Sequence, residues 1–348
     1  MNKEECLKLG SKIHNDIKTE ILNCQKTNII SINEIELTFL EITIMQLRNF
    51  IEHLIKIKVK ELANFQLNFG LAFPIGISGD CIVAHYTPTI LSANQKSTLP
   101  YYLNPDSKIH DFKIIKIDYG IQINGYIIDK AFSLNLDNSE LTTKLIDASK
   151  TAVSHIIEKI GEDVRLNELA QDAIEIVSQY EHNEKPLKVV KNVYSHNINQ
   201  WQIHGSKFIR PDYKKYDFDD KAKLNEQYAI EIYVTDGEGQ GELITNPIVH
   251  SHYNISDEVS FHQEEDKNKI LHCINTNFRT LPFCPNFFPS IKSNKKKISH
   301  SKINSICQSL QSEGILNSYP PIIEINNKSL VSQIENNVLI TSYGGKEL

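Results

Sequence analysis

The apolar positions of this chain change period several times, and each change predicts an element. Ser31 and Glu34 stand at the S-x-x-E spacing of a capping box. Behind them Ile35, Leu37, Leu40, Ile44, Leu47, Ile51 and Leu54 recur at helical spacing. The first 65 or so residues are therefore predicted to be helical. From Phe73 to about residue 136 the pattern shifts to short β-rich runs broken by turn residues. Ser139 then precedes a second helical series, Leu141, Leu145, Ala148, Ala152, Ile156 and Ile160, closed by Gly161. A further helix is predicted from about Leu166 to Tyr180. β character returns from Lys188 to about residue 248, helical patterns cover 255–276 and 300–316, and the last 25 residues read as strands. Strand-rich and helix-rich stretches thus alternate twice, as in a duplicated α/β unit, although no sequence repeat marks the duplication.

The stretch Lys113 to Asn135, KIIKIDYGIQINGYIIDKAFSLN, carries the sharpest signal. Asn124-Gly125 sits between two alternating apolar runs, which predicts a hairpin with a two-residue turn. Such a turn pairs residues whose numbers sum to 249, so Gly120 faces Asp129 and Asp118 faces Ala131. Both aspartates then project from one side as diagonal neighbours, roughly 7–8 Å apart at the backbone. Like charges on a face flanked by Ile, Tyr and Phe are costly unless a cation lies between them. From this stretch alone, a cation site and a solvent-facing hairpin both remain open.

Further ligand-type residues interrupt apolar strands elsewhere. His196 and His204 lie in SHNINQWQIHGSK, Glu231 in YAIEIYV, Glu335 in SQIENNVLI and His85 in VAHYTP. Each alone is weak, since a single acid on a strand often faces solvent. Together Asp118, Asp129, Glu231 and Glu335 carry four negative charges, the number that two divalent cations balance.

Composition narrows the class. The chain has 348 residues, of which 40% are hydrophobic and 23% charged, which excludes a disordered or low-complexity polymer. Its length allows one large domain or two. The formal charge of -6 argues against a polyanion-binding surface over the whole chain, so no direct nucleic-acid contact is expected. Of the 37 basic residues 33 are Lys and 4 are Arg, and with 50 Ile and 32 Asn this reads as the mark of an A+T-rich coding sequence. The lysine-rich stretch 290–301 is accordingly taken as a solvated turn. The six cysteines contain no C-x-x-C and lie mostly in apolar contexts, which suits buried thiols in a reducing compartment. Residues 1–10 show no apolar signal region, and no run of about 18 apolar residues exists, so a cytoplasmic protein without a membrane span is expected.

In order and context these segments resemble the type 2 methionine aminopeptidases, of the pita-bread M24 metallopeptidase family. The matching stretches are FPIGISGDCIVAHYTP (73–88), KIDYGIQINGYIIDKAFS (116–133), SHNINQWQIHGSK (195–207), YAIEIYVTDGEG (228–239), SHY (251–253), NFRTLPFC (277–284), YPP (319–321) and SQIENNVLI (332–340). They span about residues 10–345. The 104-residue gap from Glu231 to Glu335 matches the helical insertion that distinguishes type 2 from type 1.

The resemblance implies an α+β pita-bread fold of two pseudo-symmetric α/β halves. It would have an N-terminal helical segment at 1–65 and a catalytic domain at 66–348 with an insertion at about 255–318. It implies five metal ligands, Asp118, Asp129, His196, Glu231 and Glu335, holding two divalent cations (Mn, Fe, Co or Zn). Asp118 would chelate one, Asp129 and Glu335 would bridge the pair, and His196 and Glu231 would complete the other. The implied reaction is removal of an N-terminal methionine before a small second residue, by a hydroxide bridging the metals. His85, His204 and Glu231 are the implied catalytic residues. His85 and His204 also bind substrate, and Phe73, Ile203, Tyr233, His252 and Tyr319 line the methionine pocket. Nascent polypeptide N-termini are the expected partners, with the ribosome a second candidate, and the chain is expected to be a monomer.

The match departs at a few positions. Ser195 stands where the family usually has Gly, Tyr194 where it usually has Asn, and Pro282 where a small wall residue is usual. The 33-residue gap from His85 to Asp118 is longer than expected, which predicts a longer surface loop near 89–108. The competing reading is a non-catalytic pita-bread paralogue that binds ribosomes or RNA. Such paralogues have lost several metal ligands, whereas all five are present here.

Overall fold

The computed structural model describes residues 1–62, 67–213, 220–255, 262–288, 292–293 and 296–348. Helix α1 (Lys3–Thr27) opens on a capping box between Asn2 and Glu5 and buries Cys6, Ile13, Ile17, Ile21 and Cys24, one stripe at helical spacing. The predicted helix beyond Ser31 does not begin there. Strands β1 (Ile29–Ile32) and β2 (Ile35–Thr38) form a hairpin, with Asn33 and Glu34 both left-handed in the two-residue turn. The capping box that operates is Thr43 with Gln46, each side chain bonded to the other's backbone N–H, and α2 (Ile44–Leu62) starts behind it.

The first half-sheet is antiparallel. Strands β6 (Ile114–Ile123) and β7 (Tyr126–Asn135) form the long hairpin, and β3 (Phe69–Leu71) and β4 (Gly76–Gly79) flank β6. The register is the one read from Asn124-Gly125: Gly120 pairs with Asp129 and Asp118 with Ala131. Strand β5 (Ile82–Ala84) leads into His85. The longer loop at 89–108 is only partly a surface feature, because Leu103 and Ser107 are buried and the Tyr86 hydroxyl donates to the Leu103 carbonyl. Helices α1 and α2 share one apolar cluster with this half-sheet, so the N-terminal helices belong to its core.

The second half repeats the plan. Strands β8 (Lys188–Val189), β9 (Ser195–Ile198), β10 (Phe208–Ile209) and β11 (Gln227–Thr235) precede β12 (Gly241–Leu243) and β13 (His252–Ile255). After the insertion come β14 (Leu316–Tyr319), β15 (Ile322–Glu324), β16 (Val331–Thr341) and β17 (Gly344–Glu347). The sheet order is β10-β9-β11-β16-β17, with β8 also on β11. Helices α3 (Glu140–Lys159) and α4 (Leu166–Ser178) bury their apolar faces on it.

Between β13 and β14, α5 (Glu265–Asn277) and α6 (His300–Ser312) build a third cluster of their own. The predicted helix over 255–276 starts later than expected, because Ile255 pairs with Leu316; residues 256–261 lie outside those described. Helix α6 stops before 316, where Gly314 turns left-handed and Leu316 joins a strand. The lysine-rich stretch lies partly outside the described residues; Lys292–Ser293 pairs with Lys296–Lys297. No helix among the described residues is long and apolar enough to cross a membrane.

The two half-sheets meet along β7 and β16, joined by side chains instead of a ladder. The Asn337 carboxamide accepts from the Asp129 N–H at 2.9 Å and donates to the Asp129 carbonyl at 2.8 Å. The Ser133 hydroxyl donates to the Gln333 carbonyl and accepts from its N–H, both at 2.9 Å. Gln227 donates to the Ile127 carbonyl at 2.6 Å. Buried backbone groups left without partners cost about 1–3 kcal/mol each. Asn337→Ala is therefore expected to destabilise the fold by about 2–4 kcal/mol, read as a lower urea midpoint. An unchanged midpoint would show that the seam is held elsewhere.

Candidate active site

The seam is where the acids converge. Asp118 and Asp129 project from one face of the β6–β7 hairpin, and Glu231 and Glu335 are directly paired across β11–β16. His196 on β9 pairs with Ala229, two residues from Glu231. The ligand-type atoms of Asp129, His196 and Glu335 all lie within 4.8 Å of one another. His196 Nε2 is 3.7 Å from Asp129 Oδ2 and 3.9 Å from Glu231 Oε1. Gly76 pairs with Asp118, and a Cβ there would stand 3.3 Å from the Asp118 Cβ; without one, that flank stays open.

The electrostatics are severe. No Lys or Arg is among the described residues lining this cavity. Burial pushes the Asp118 carboxyl up to about 7 and Glu231 up to about 8. Burial, then the charges of Asp118 and Glu231, raise Asp129 further; burial, then Asp129, does the same to Glu335. Asp129 and Glu335 bring carboxylate oxygens within 4.8 Å of each other, so each penalises ionisation of the other. Asp118 Oδ1 is buried with no hydrogen-bond partner. A polypeptide that gathers four acids here, without a basic side chain, is built to receive cations.

The imidazoles are prepared differently. Burial holds His196 down at about 4, so it is neutral near pH 7. Its Nδ1 faces the Asn197 carbonyl at 3.4 Å, and a carbonyl only accepts, so Nδ1 carries the proton. The Nε2 lone pair is thereby aimed at the acids, the tautomer a metal-binding histidine needs. His85 is also held at about 4 by burial and donates to the Pro320 carbonyl, with no further hydrogen bond among the described residues. Its backbone is left-handed (φ 63°), a conformation that costs about 1–2 kcal/mol. Neighbouring bonds fix it: Ile77 N–H to the Tyr86 carbonyl and Thr87 Oγ1 to the Ile75 carbonyl. His204 stands edge-on to His196, centroids 4.4 Å apart, with no hydrogen-bond partner among the described residues. His252 is held from two sides, by the Pro74 carbonyl and by Ser251 Oγ at 3.0 Å.

All the sequence-predicted site residues line this one cavity. Phe73, Ile203, Tyr233, His252 and Tyr319 form its walls beside the acids and histidines, and Pro282 joins them. Tyr319 stands 6.0 Å from His85 and 6.1 Å from His204 by ring centroids. Ser195, where glycine was usual, has no left-handed backbone. Its hydroxyl donates to the Glu231 carbonyl and accepts from the Glu231 N–H, taking over a rung at the end of the β9–β11 ladder. Sequence reasoning missed Gln333, whose Nε2 lies 3.2 Å from Asp118 Oδ2, 2.7 Å from the Tyr233 hydroxyl and 3.5 Å from Glu335 Oε2. The available signal was its position two before Glu335 on a strand, hence on the same face.

Comparison with known proteins agrees with this geometry. The family model described as "Metallopeptidase family M24" matches residues 41–342. Proteins named "Methionine aminopeptidase 2" are similar. That of Botryotinia fuckeliana is 31% identical over 78% of this chain and 56% of its own length; that of Debaryomyces hansenii is 31% identical over 83% and 64%. The chain thus spans 56–64% of the length of these two relatives. Among solved structures, a thermophilic Arx1 superposes with TM-score 0.77 at 13% identity, covering 99% of this chain and 89% of that one. A methionine aminopeptidase of Thermotoga maritima gives 0.56 at 13% identity, covering 99% and 94%. These likenesses show the pita-bread fold.

The raised carboxyls predict how cation binding depends on pH. With folded values above the unfolded ones, the polypeptide alone holds extra protons, and the stability they confer is lost as pH rises through about 7 and 8. A divalent cation must displace those protons. Apparent Mn²⁺ affinity is expected to rise steadily from pH 6 to pH 8, with proton release measurable by calorimetry in buffers of different ionisation enthalpy. Affinity independent of pH over that window would contradict the assignment of Asp118 and Glu231 to the cation.

Proposed function

The chain belongs to metallopeptidase family M24, and we propose that it removes the N-terminal methionine from polypeptides whose second residue is small. Divalent-metal use comes with membership of a metallopeptidase family. The observation that carries the finer reading is the cluster of Asp118, Asp129, Glu231 and Glu335 with the neutral His196. They surround one cavity that contains no protein cation among its described lining. Their four negative charges suit two divalent ions. Carboxylates and one imidazole are mostly hard donors, which favours Mn, Fe or Co, with Zn also accommodated. When bound, such ions would supply Lewis acidity and would lower the pKa of a coordinated water towards neutrality, the source of the nucleophile.

The remaining work falls to side chains of this chain. Glu231, whose Oε1 stands 3.9 Å from His196 Nε2, is the proposed residue to take and return a proton. The other ring nitrogen of His85 can accept the N–H of the scissile amide. The unpartnered ring of His204 can donate to the carbonyl oxygen as charge develops there. A negative cavity suits the free amino terminus of a substrate. Phe73, Ile203 and Tyr319 offer an apolar wall for an unbranched thioether side chain, and Pro282 narrows that wall with a rigid ring. Nascent chains are the proposed substrates, met at the ribosome or after release, by a monomer in the cytoplasm. Six free, buried thiols suit a reducing compartment. The second reading, a non-catalytic paralogue, is disfavoured because all five ligand-type residues, Asp118, Asp129, His196, Glu231 and Glu335, line the cavity.

The test is direct. Purified full chain reloaded with Mn²⁺ or Co²⁺ is expected to release methionine from Met-Ala-Ser and to spare Met-Leu-Ser. Asp118→Asn and Glu335→Ala are expected to reduce release to background while circular dichroism stays native. Release that survives either substitution, or a wild-type chain inert with every metal tried, would sink the proposal.

A further inference from the structure

Tyr233 has been placed so far as a wall of the side-chain pocket, yet its polar end lies among the acids. The β11–β16 register pairs Tyr233 with Gln333 and, two residues along on the same face, Glu231 with Glu335. A tyrosine–glutamine rung therefore sits beside a rung of two like charges. Tyr233 is buried (3% exposed).

The hydrogen-bond directions follow from chemistry. In the cation-bound state two of the three groups around the Gln333 terminal nitrogen are carboxylates, which only accept, so this atom is assigned as the NH₂ and not the carbonyl oxygen. Gln333 then donates to the Tyr233 oxygen at 2.7 Å. A phenol that accepts from an amide has its own proton free to donate, and Glu231, two residues away on the same face of the same strand, is the carboxylate on its own strand that it can meet. Through these two side chains, Asp118, Glu231 and Glu335 are all tied to one rung.

We propose that Tyr233 and Gln333 act as a single positioning unit: the Gln333 amide orients the phenol, and the phenol's proton fixes Glu231 so that a defined oxygen faces the cation site. This deepens the reading above and rests on its cation site. It assigns the Tyr233 hydroxyl a role that the pocket wall alone does not need, because a phenylalanine would line the pocket equally well. Residues that orient metal-binding side chains in this way typically contribute about 10–100-fold to metal affinity.

Tyr233→Phe keeps the ring and removes only the oxygen. Chelator-stripped full-length protein is titrated with Mn²⁺ by calorimetry, and the visible spectrum of the Co²⁺ form is compared. The expected result is about a tenfold weaker cation affinity and an altered Co²⁺ spectrum. Gln333→Met is expected to weaken affinity at least as much, and the double variant to be no weaker than Gln333→Met alone, since the phenol has then already lost its orientation. Wild-type affinity and spectrum in Tyr233→Phe, or losses that simply multiply in the double variant, would overturn the unit and leave the proposed function standing. A wild-type chain that binds no divalent cation would overturn both. Should Gln333→Met fail to fold, Tyr233→Phe carries the test alone.

Discussion

The structure is organised around a repulsion. Four carboxyl groups, two from each half-sheet, are brought to one cavity with no positive side chain among its described lining residues. Burying one unpaired charge is already costly, and four like charges would be prohibitive. In the polypeptide alone the cost appears as carboxyls pushed towards neutral pH, Glu335 well above its ordinary range. The surroundings satisfy almost everything except the carboxylates. Asn337 satisfies the Asp129 backbone, Ser195 the Glu231 backbone, and Ser133 the Gln333 backbone. What is left uncompensated is the charge itself, which is the part a cation neutralises.

The same economy separates the histidines. All are buried among apolar walls and kept neutral, but they differ in what holds their nitrogens. His196 has its proton directed at backbone carbonyls and its lone pair at the acids. His85 is anchored through one nitrogen by the Pro320 carbonyl, and its strained backbone is tolerated because the strands on either side fix it. His252 has both a carbonyl and a hydroxyl and serves as wall. His204 has ring contacts and no hydrogen bond among the described residues. A shared composition thus yields separate roles through hydrogen-bond partners.

Legibility in the sequence tracked the range of the interactions. The β6–β7 hairpin was readable to the residue because Asn124-Gly125 sets its register locally, and the register alone puts both aspartates on one face. The Ser31–Glu34 pair was misread because two S/T-x-x-E/Q spacings lie close together. The choice between them is made by Asn33 and Glu34 accepting left-handed turn positions, and by Thr43 and Gln46 meeting each other instead. The cavity residues were recognised through a resemblance of motifs; periodicity alone left a solvent-facing hairpin open. Gln333 shares a face with Glu335 by strand period, but its partners Asp118 and Tyr233 lie 215 and 100 residues away in the chain, so no local pattern names what it bonds.

The departures from the family pattern are informative by where they fall. Ser195 precedes His196, Pro282 lines the cavity, the 89–108 loop reaches only Tyr86 beside His85, and none replaces a ligand-type atom. Ser195 keeps an ordinary strand backbone and turns its hydroxyl to the work of a missing ladder rung, so it supports the element that carries Glu231. Pro282 changes the wall and leaves the acids untouched. The loop at 89–108 sends Leu103 into the first core and accepts the Tyr86 hydroxyl, bracing the residue next to the strained His85. Change has been absorbed by walls, rungs and braces, whose jobs several residue types can do. The charge cluster admits no such latitude, because removing one acid alters the balance on which every other buried charge depends.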